Sequence, residues 1–439
     1  MNIILTIILL LTYPILAIDY SSFKGTTLVV NFPAHPHYDA AKILIKEFEK
    51  ETGINVEVDT LQYLRMHDKQ VLEMSKKRGD YDLISYVVFW KTEYVKKGYI
   101  EPLESFFSNP KLKDPNYDID DIIPAYLENI GLVGGKKGYL AGKNALLYGI
   151  PFGAETSILA YRKDIFKKHN LSPPISYDEL LTTLDYLKSN EPTLYPFTSR
   201  GKAGHQITHA WLLHMAPFQG KIFDDNWKPV FDNTNGLKAY SILDKLISYS
   251  DPGTASFGFS EMKNSFLQGK AAIYLDSMVI STEVNNPTVS KIKNKVGYSI
   301  HPKGTIFASQ TGGFGLAIAK NSKNKDAAFL LLQWLTSKAQ DKKIVKYGGI
   351  PIRKSTFNDE ILLKKYPEYK IFSKALEIAD TDWRPIIPEW GEINAMFIGT
   401  ALSDAITNKD SINTALEKAK KQTTSLMKQK GYYEKNEGI

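Results

Sequence analysis

"TTLVVNFPAHPHYDAAKILIKEFEKETGINVEVDTLQY", residues 26 to 63, decides the fold class. Residues 26 to 30 read as a short buried strand. From Tyr38 to Thr52 the apolar positions Ala41, Leu44, Ile45 and Phe48 recur at helical spacing, and Gly53 supplies a C-terminal stop. Ile54, Val56 and Val58 then alternate with polar residues, as in a strand. Strand, helix and strand in this order form a β-α-β unit and predict a parallel sheet.

The alternation continues along the chain. "YDLISYVV" at 81–88 and "ILAYRKD" at 158–164 read as further strands. Ser176 with Glu179 makes a capping box ahead of "LLTTLDYLKS". Helical spacing recurs over Leu237–Tyr249, at Ala328, Leu331, Leu332 and Leu335, and at Leu416, Ala419, Thr423 and Leu426. The class is therefore α/β. A chain of 439 residues suits two domains, yet there is no Pro/Ser linker, internal repeat or low-complexity tract. Two lobes without a linker must be joined by short crossing segments, which is hinge geometry.

Composition narrows the function. With 43% hydrophobic and 23% charged residues the chain is globular, and its 12% aromatic content suits both a large core and a binding cleft. A net charge of +7 spread among interspersed Lys, Asp and Glu, with no basic block, argues against a nucleic-acid partner. "MNIILTIILLLTYPILAI" opens the chain with an apolar run broken by Thr12, Tyr13 and Pro14, too interrupted for a membrane span. Residues 1–17 read as a signal peptide with Ala17 before the cleavage point, although the n-region carries no Lys or Arg. Cysteine is absent, which removes disulfides, thiol catalysis and a lipid-modified cysteine. An exported protein without that anchor is expected in the periplasm of a two-membraned bacterium.

Catalytic motifs are missing or defective. "HQITHAWLLH" at 205–214 spaces His205 and His209 as a zinc-protease helix would, but the position of the general base is Gln206, which cannot take a proton. "HPH" at 35–37 is a weaker metal suggestion, placed after the first strand, where open α/β sheets hold ligands. "GLVGG" at 131–135 and "TGGFG" at 311–315 fit neither a phosphate loop nor a dinucleotide turn. No Gly-x-Ser-x-Gly elbow occurs, and no carboxylate pair stands out as glycosidase acid and base. Two lobes, export and no catalytic constellation favour binding, with no enzyme activity, no cofactor and no metal expected.

Five segments in order carry a resemblance. "YGIPFGAETSILAYRKDIFKKHNLSPPISYDELL" is similar to the crossing segment of extracellular solute-binding proteins of ABC sugar importers, family 1. "FLQGKAAIYLDS" resembles their Gly-Lys-x-Ala-Met segment, with Ile273 where Met is usual. "TGGFGLAIAKNSKNKDAAFLLLQWLTSKAQ" with "GGIPIRKSTF", then "WRPIIPEWGEINAMF" and "SINTALEKAKKQTTSLMKQKGYY", complete the match. "TSRGKAGHQ" and "YLDS" are closest to members that bind monosaccharides and polyols. The resemblance implies a two-lobe periplasmic-binding-protein type II fold with crossings near Ala154, Thr311 and Glu377. It places 26–153 with 312–376 in an N-terminal lobe and 154–311 with 377–434 in a C-terminal lobe. It also implies a monomer that delivers a small carbohydrate to ABC transporter permease subunits in the inner membrane.

A sugar hydroxyl leaving water must regain hydrogen bonds, preferably to charged planar groups, while the ring's C–H face stacks on an aromatic. Asp276 and Glu155 are the expected acceptors, Arg200 and Arg384 the donors, and Gln62, His35, His37 and His205 the supplementary partners. Trp90, Phe314, Trp383 and Trp390 are the expected platforms. Ordinary roles compete: Trp390 as core, Arg384 as a hinge ion pair, Asp276 as a helix cap, and His35 or His37 as surface. A polyamine or a ferric ion is the alternative solute, and an exported hydrolase the alternative class.

Overall fold

The computed structural model describes residues 18–433. The expected signal segment 1–17 and position 434, the end of the expected C-terminal lobe, lie outside the described residues. Eleven strands occur among them: β1 (Thr27–Pro33), β2 (Asn55–Leu61), β3 (Leu83–Val87), β4 (Leu132–Val133), β5 (Leu146–Leu147), β6 (Ile150–Arg162), β7 (Tyr195–Thr198), β8 (Ala271–Ser277), β9 (Val296–Ile300), β10 (Ser309–Ile318) and β11 (Ala379–Asp380). β4 and β5 form a small ribbon, and the other strands share one sheet in the order β2-β1-β3-β10-β6-β8-β7, with β9 on β6 and β11 on β10.

The opening unit folds as its pattern dictates. β1 and β2 pair in parallel along their whole length, and β3 joins β1 in parallel. The helix Pro36–Thr52 between them starts on His35, whose ring accepts from the His37 N–H, and has Pro36 at its first position. It ends on Gly53 at φ 72°, the left-handed C-terminal position glycine tolerates best. Tyr38, Ala41, Leu44, Ile45 and Phe48 are buried along one face.

β6 and β10 organise the rest. β6 pairs with β10 through Ile150–Thr156, then with β8 through Ser157–Tyr161 and β9 through Ile158–Arg162. β10 in turn reaches β3 through Phe314–Ile318 and β11 through Ser309 and Gln310. Both strands therefore pass from one half of the sheet to the other, and β11 runs beside them. The sequence pattern shows a strand only from Ile158. The structure begins it at Ile150, because burial on both faces from Ile150 to Ala154 erases the alternation that marks a strand.

At the crossing the backbones nearly touch. A Cβ on Gly313, at φ 91°, would stand 2.4 Å from the Gly153 carbonyl oxygen. A residue with a side chain cannot occupy that position without moving a strand.

A separate apolar cluster lies beneath β6, β8 and β7. It gathers Leu159, Phe166, Leu180, Leu184, Leu187, Ile273 and Leu246. The helix Tyr177–Asn190 contributes three of these, and its Ser176 hydroxyl accepts from the Glu179 N–H as the capping pattern predicts.

Candidate functional site

A cavity of about 310 Å³ opens where β6 and β10 cross. The ends of β1 and β2 bring His35 and Gln62 to it, and the crossing strands bring Glu155, Ser157, Gln310, Thr311 and Phe314. β8 supplies Asp276. The segment after β7 supplies Arg200, and the helix His205–Met215 supplies His205 and His209. Trp383 and Arg384 enter from the chain after β11. Residues far apart in sequence thus converge because their strand ends and crossings point to one place.

Asp276 and Arg200 form the most ordered part. Arg200 Nε donates to Asp276 Oδ2 at 2.8 Å, and Nη2 donates to Oδ1 at 2.6 Å. The Ser277 N–H adds a further bond to Oδ1 at 2.7 Å. Burial pushes the Asp276 carboxyl up, but the Arg200 charge and the nearby His209 override it and hold the group well below the usual carboxylate range. Arg200 Nη1 donates to Gln206 Oε1 at 3.1 Å, and its guanidinium lies 4.7 Å from the centre of the Phe259 ring. Gln206, where a zinc protease needs its base, therefore helps to orient an arginine. Among the described residues no group of three or more metal-ligating side chains is placed to hold an ion.

Arg384 is arranged differently. It is buried against Trp383, 4.4 Å from the ring centre, and Phe89, 5.3 Å away. It makes no ion pair among the described residues, and its Nε is buried without a hydrogen-bond partner. Burial lowers its pKa to about 9, with Glu155 opposing and Arg200 adding to the fall. The expected alternative of a hinge ion pair does not occur. Trp383 is held in turn by an Nε1–H bond to the Thr311 carbonyl at 2.7 Å.

The remaining polar groups of the wall include three histidines, Glu155 and a lysine–glutamate pair. His35 Nδ1 accepts from His37 N–H at 3.2 Å, which leaves the ring proton on Nε2, 3.4 Å from Glu155 Oε1. That separation does not satisfy the atom, and His35 Nε2, Gln310 Nε2, Thr311 Oγ1 and Arg384 Nε are all buried without partners. His205 bonds Asn394, which the π turn Ile393–Ile398 carries. Burial, then neighbouring His209, Arg200 and Arg384, lower the His205 pKa to about 3. Burial, then Arg200, lower that of His209 to about 4, with Asp276 partly opposing. Lys263 and Glu283 close another side, paired at 2.6 Å and 2.8 Å. Arg200, Arg384 and Lys263 thus face Glu155, Asp276 and Glu283, with His205 and His209 neutral.

Of the expected site residues, His35, Gln62, Glu155, Arg200, His205, Asp276, Phe314, Trp383 and Arg384 line this cavity. Three expected site residues are not. His37 faces inward from the first helical turn, where its Nδ1 accepts from the Ile350 N–H at 3.0 Å and its ring meets Phe152. Trp90 ends the short turn Val88–Trp90 and packs on His67 and Tyr94, so its neighbour Phe89 takes the cavity wall. Trp390 is 1% exposed and belongs to the core. Sequence reasoning also leaves out Phe89, Ser157, His209, Phe259, Lys263, Glu283, Gln310 and Thr311. Of these only His209 carries a signal, its helical spacing from His205.

A cavity at the crossing of two strands, with aromatic faces and unmet hydrogen-bond donors in its wall, is the site of a binding protein for a small solute. The chain belongs to the bacterial extracellular solute-binding protein family, whose model matches residues 35–342. It is 27% identical to the "Probable amino-acid ABC transporter periplasmic-binding protein y4oP" of Sinorhizobium fredii, over 90% of this chain and 88% of that one. It is also 27% identical to the mannitol-binding protein of Pseudomonas aeruginosa, over 84% of this chain and 85% of that one. The crystal structure of an ABC transporter solute-binding protein from Agrobacterium radiobacter, in complex with ribitol, matches with a TM-score of 0.82 at 26% identity. It covers 92% of this chain and 99% of that one. The two-lobe α/β fold of type II periplasmic binding proteins is the fold of this chain.

Proposed function

We propose that this protein captures a small neutral polyol or monosaccharide between its lobes and delivers it to the permease of an ABC transporter, without chemical conversion. The observation that carries this reading is the set of buried, unpartnered polar atoms around a charge-balanced cavity. Buried donors without partners are costly, and a ligand with many hydroxyls supplies the missing bonds. Phe89, Phe314 and Trp383 offer faces for C–H groups. The volume lies at the low end of the ~300–1,000 Å³ typical of small-molecule sites, which suits one sugar or polyol unit. The mannitol-binding relative and the ribitol-bound structure support the same class. The lobes are proposed as 26–153 with 312–376 and 154–311 with 377–434, and the protein as a periplasmic monomer exported by its first 17 residues.

An amino acid is the second reading. The unpaired Arg384 could take a carboxylate, and the Sinorhizobium relative is named for amino-acid transport. An amino acid is a zwitterion, which a charge-balanced lining also accommodates, and it is the mannitol-binding relative and the ribitol-bound structure that favour the neutral ligand. A polyamine fits poorly beside two arginines, and Tyr432 and Tyr433 are engaged with Glu389 and Trp227, away from any ferric site. A thermal-shift screen of polyols, sugars and amino acids tests the reading. A true ligand at about a hundred times its Kd stabilises by roughly 2.7 kcal/mol.

A further inference from the structure

Arg384 has the least support inside the cavity of all its charged residues. It makes no ion pair among the described residues, and its Nε has no hydrogen-bond partner. Its placement must therefore come from the backbone that carries it, residues 381–386.

That backbone is held from outside the cavity, mainly by the chain around "GLVGG", a stretch the site does not otherwise use. Lys137 Nζ donates to Asp382 Oδ2 at 2.5 Å, and the Tyr139 hydroxyl donates to Oδ1 at 2.6 Å. Both groups can only donate to a carboxylate, so the direction of these bonds is fixed. Asn129 Nδ2 donates to the Thr381 carbonyl at 2.9 Å, and the Thr381 hydroxyl donates to Glu128 Oε2 at 3.2 Å. At the other end Thr92 Oγ1 donates to the Ile386 carbonyl at 2.7 Å. Trp383 and Arg384 lie between these points.

The holding segment is itself braced. β4 and β5 pair as a ribbon, and in the loop between them Gly135 backs onto the Leu140 carbonyl, where a Cβ would collide. The buried Lys91 Nζ donates to the carbonyls of Glu128, Asn129 and Tyr139 at 3.1, 2.6 and 2.9 Å, which ties the start of the ribbon to its loop. Lys137 stands at φ 54°, a conformation that residues with side chains seldom adopt. A glycine would sit there with less strain but would bring no ammonium to Asp382.

We propose that Lys137 and Tyr139 clamp Asp382 and thereby set Trp383 and Arg384 in the cavity, so that ligand affinity depends on bonds the ligand does not touch. Neither Lys137, Tyr139 nor Asp382 lines the cavity, whereas the next two residues of the chain do. The three are positioning residues that act through Arg384 and Trp383, and the proposal rests on the polyol or sugar reading above.

The test has two arms. In the first, ribitol and D-mannitol are titrated into wild type, Lys137→Gln, Lys137→Arg and Tyr139→Phe, with melting curves to confirm folding. Lys137→Gln and Tyr139→Phe should each weaken binding roughly fivefold, the scale of one hydrogen bond. Lys137→Arg, which keeps the charge, should bind as wild type does. In an Arg384→Met background Lys137→Gln should cost little more, because the clamp then has no guanidinium to place. A Lys137→Gln protein that binds as wild type does, a Lys137→Arg protein as weak as Lys137→Gln, or an undiminished loss in the Arg384→Met background would overturn the proposal. In the second arm the indole ¹H–¹⁵N signal of Trp383, assigned by its absence from Trp383→Phe, reports the clamp without any ligand. It should move in Lys137→Gln and Tyr139→Phe and stay in place in Lys137→Arg, and an unmoved signal in the first two would overturn the clamp. If wild type binds no polyol or sugar, the functional reading fails, and the indole signal alone still upholds or overturns the positioning of this segment.

Discussion

Arg200 and Asp276 face each other in a two-point pair, Nε to Oδ2 at 2.8 Å and Nη2 to Oδ1 at 2.6 Å, at the wall of the cavity. Both side chains are almost wholly buried. Removing one partner leaves a buried charge without its counter-ion, which costs ~3–5 kcal/mol in comparable pairs. Asp276→Ala should therefore lower unfolding stability by about that amount and also abolish tight ligand binding. Urea denaturation and calorimetric titration of the same preparation check both effects. A variant that binds weakly at unchanged stability would show that the pair serves the ligand alone.

Arg384 should behave in the opposite way. It has no carboxylate partner and is desolvated, so the folded protein gains no ion pair from its charge. Arg384→Met keeps the apolar stem against Trp383 and Phe89. The expected outcome is a loss of affinity of about tenfold or more, a charge-assisted bond being worth ~1.5–3 kcal/mol, with stability unchanged or raised. A clear drop in the denaturation midpoint would contradict this.

Acid should weaken the fold well above the range in which carboxylates protonate. The pKa values of His205, His214 and His301 fall to about 3, and that of His209 to about 4, from an ordinary value of 6.5. Between these limits the unfolded chain binds protons that the folded chain refuses. Stability is thus fully present above pH about 6.5 and falls as pH drops toward about 4, by ~1.4 kcal/mol per pH unit for each such histidine. Denaturation midpoints between pH 7 and pH 4.5 measure the slope. A flat profile would mean that these imidazoles are accessible.

Trp383 is the tryptophan that lines the cavity, and its indole N–H is anchored to Thr311. Ligand binding should change the emission of wild type and leave Trp383→Phe nearly silent. An unchanged signal in that variant would assign the response to another tryptophan.

Much of this was legible in the sequence. The first β-α-β unit was, because a helix and a half-exposed strand leave distinct periods. The charged and aromatic cavity residues in the segments around Glu155, Asp276, Phe314 and Arg384 were also legible through the family resemblance. The failures have local causes. His35 and His37 look equivalent in "HPH", yet Pro36 starts the helix between them, so one caps it beside the cavity and the other turns into the core. Trp90 and Phe89 differ by one position in a tight turn, and the smaller ring lines the cavity. Ser157, Gln310 and Thr311 could not be singled out, because polar residues in buried strands carry no periodic signal. The Lys263–Glu283 pair exists only once the chain is folded.

The most direct test of the central claim is calorimetric titration of the wild-type protein with ribitol, D-mannitol, common monosaccharides and amino acids, at low and at physiological salt. At least one polyol or monosaccharide should bind one to one with a Kd on the order of micromolar, about −8 kcal/mol. Its affinity should barely change with salt, because a neutral ligand has no charge to screen. Amino acids binding while every polyol and sugar stays inert, or an affinity that falls steeply with salt, would contradict the account.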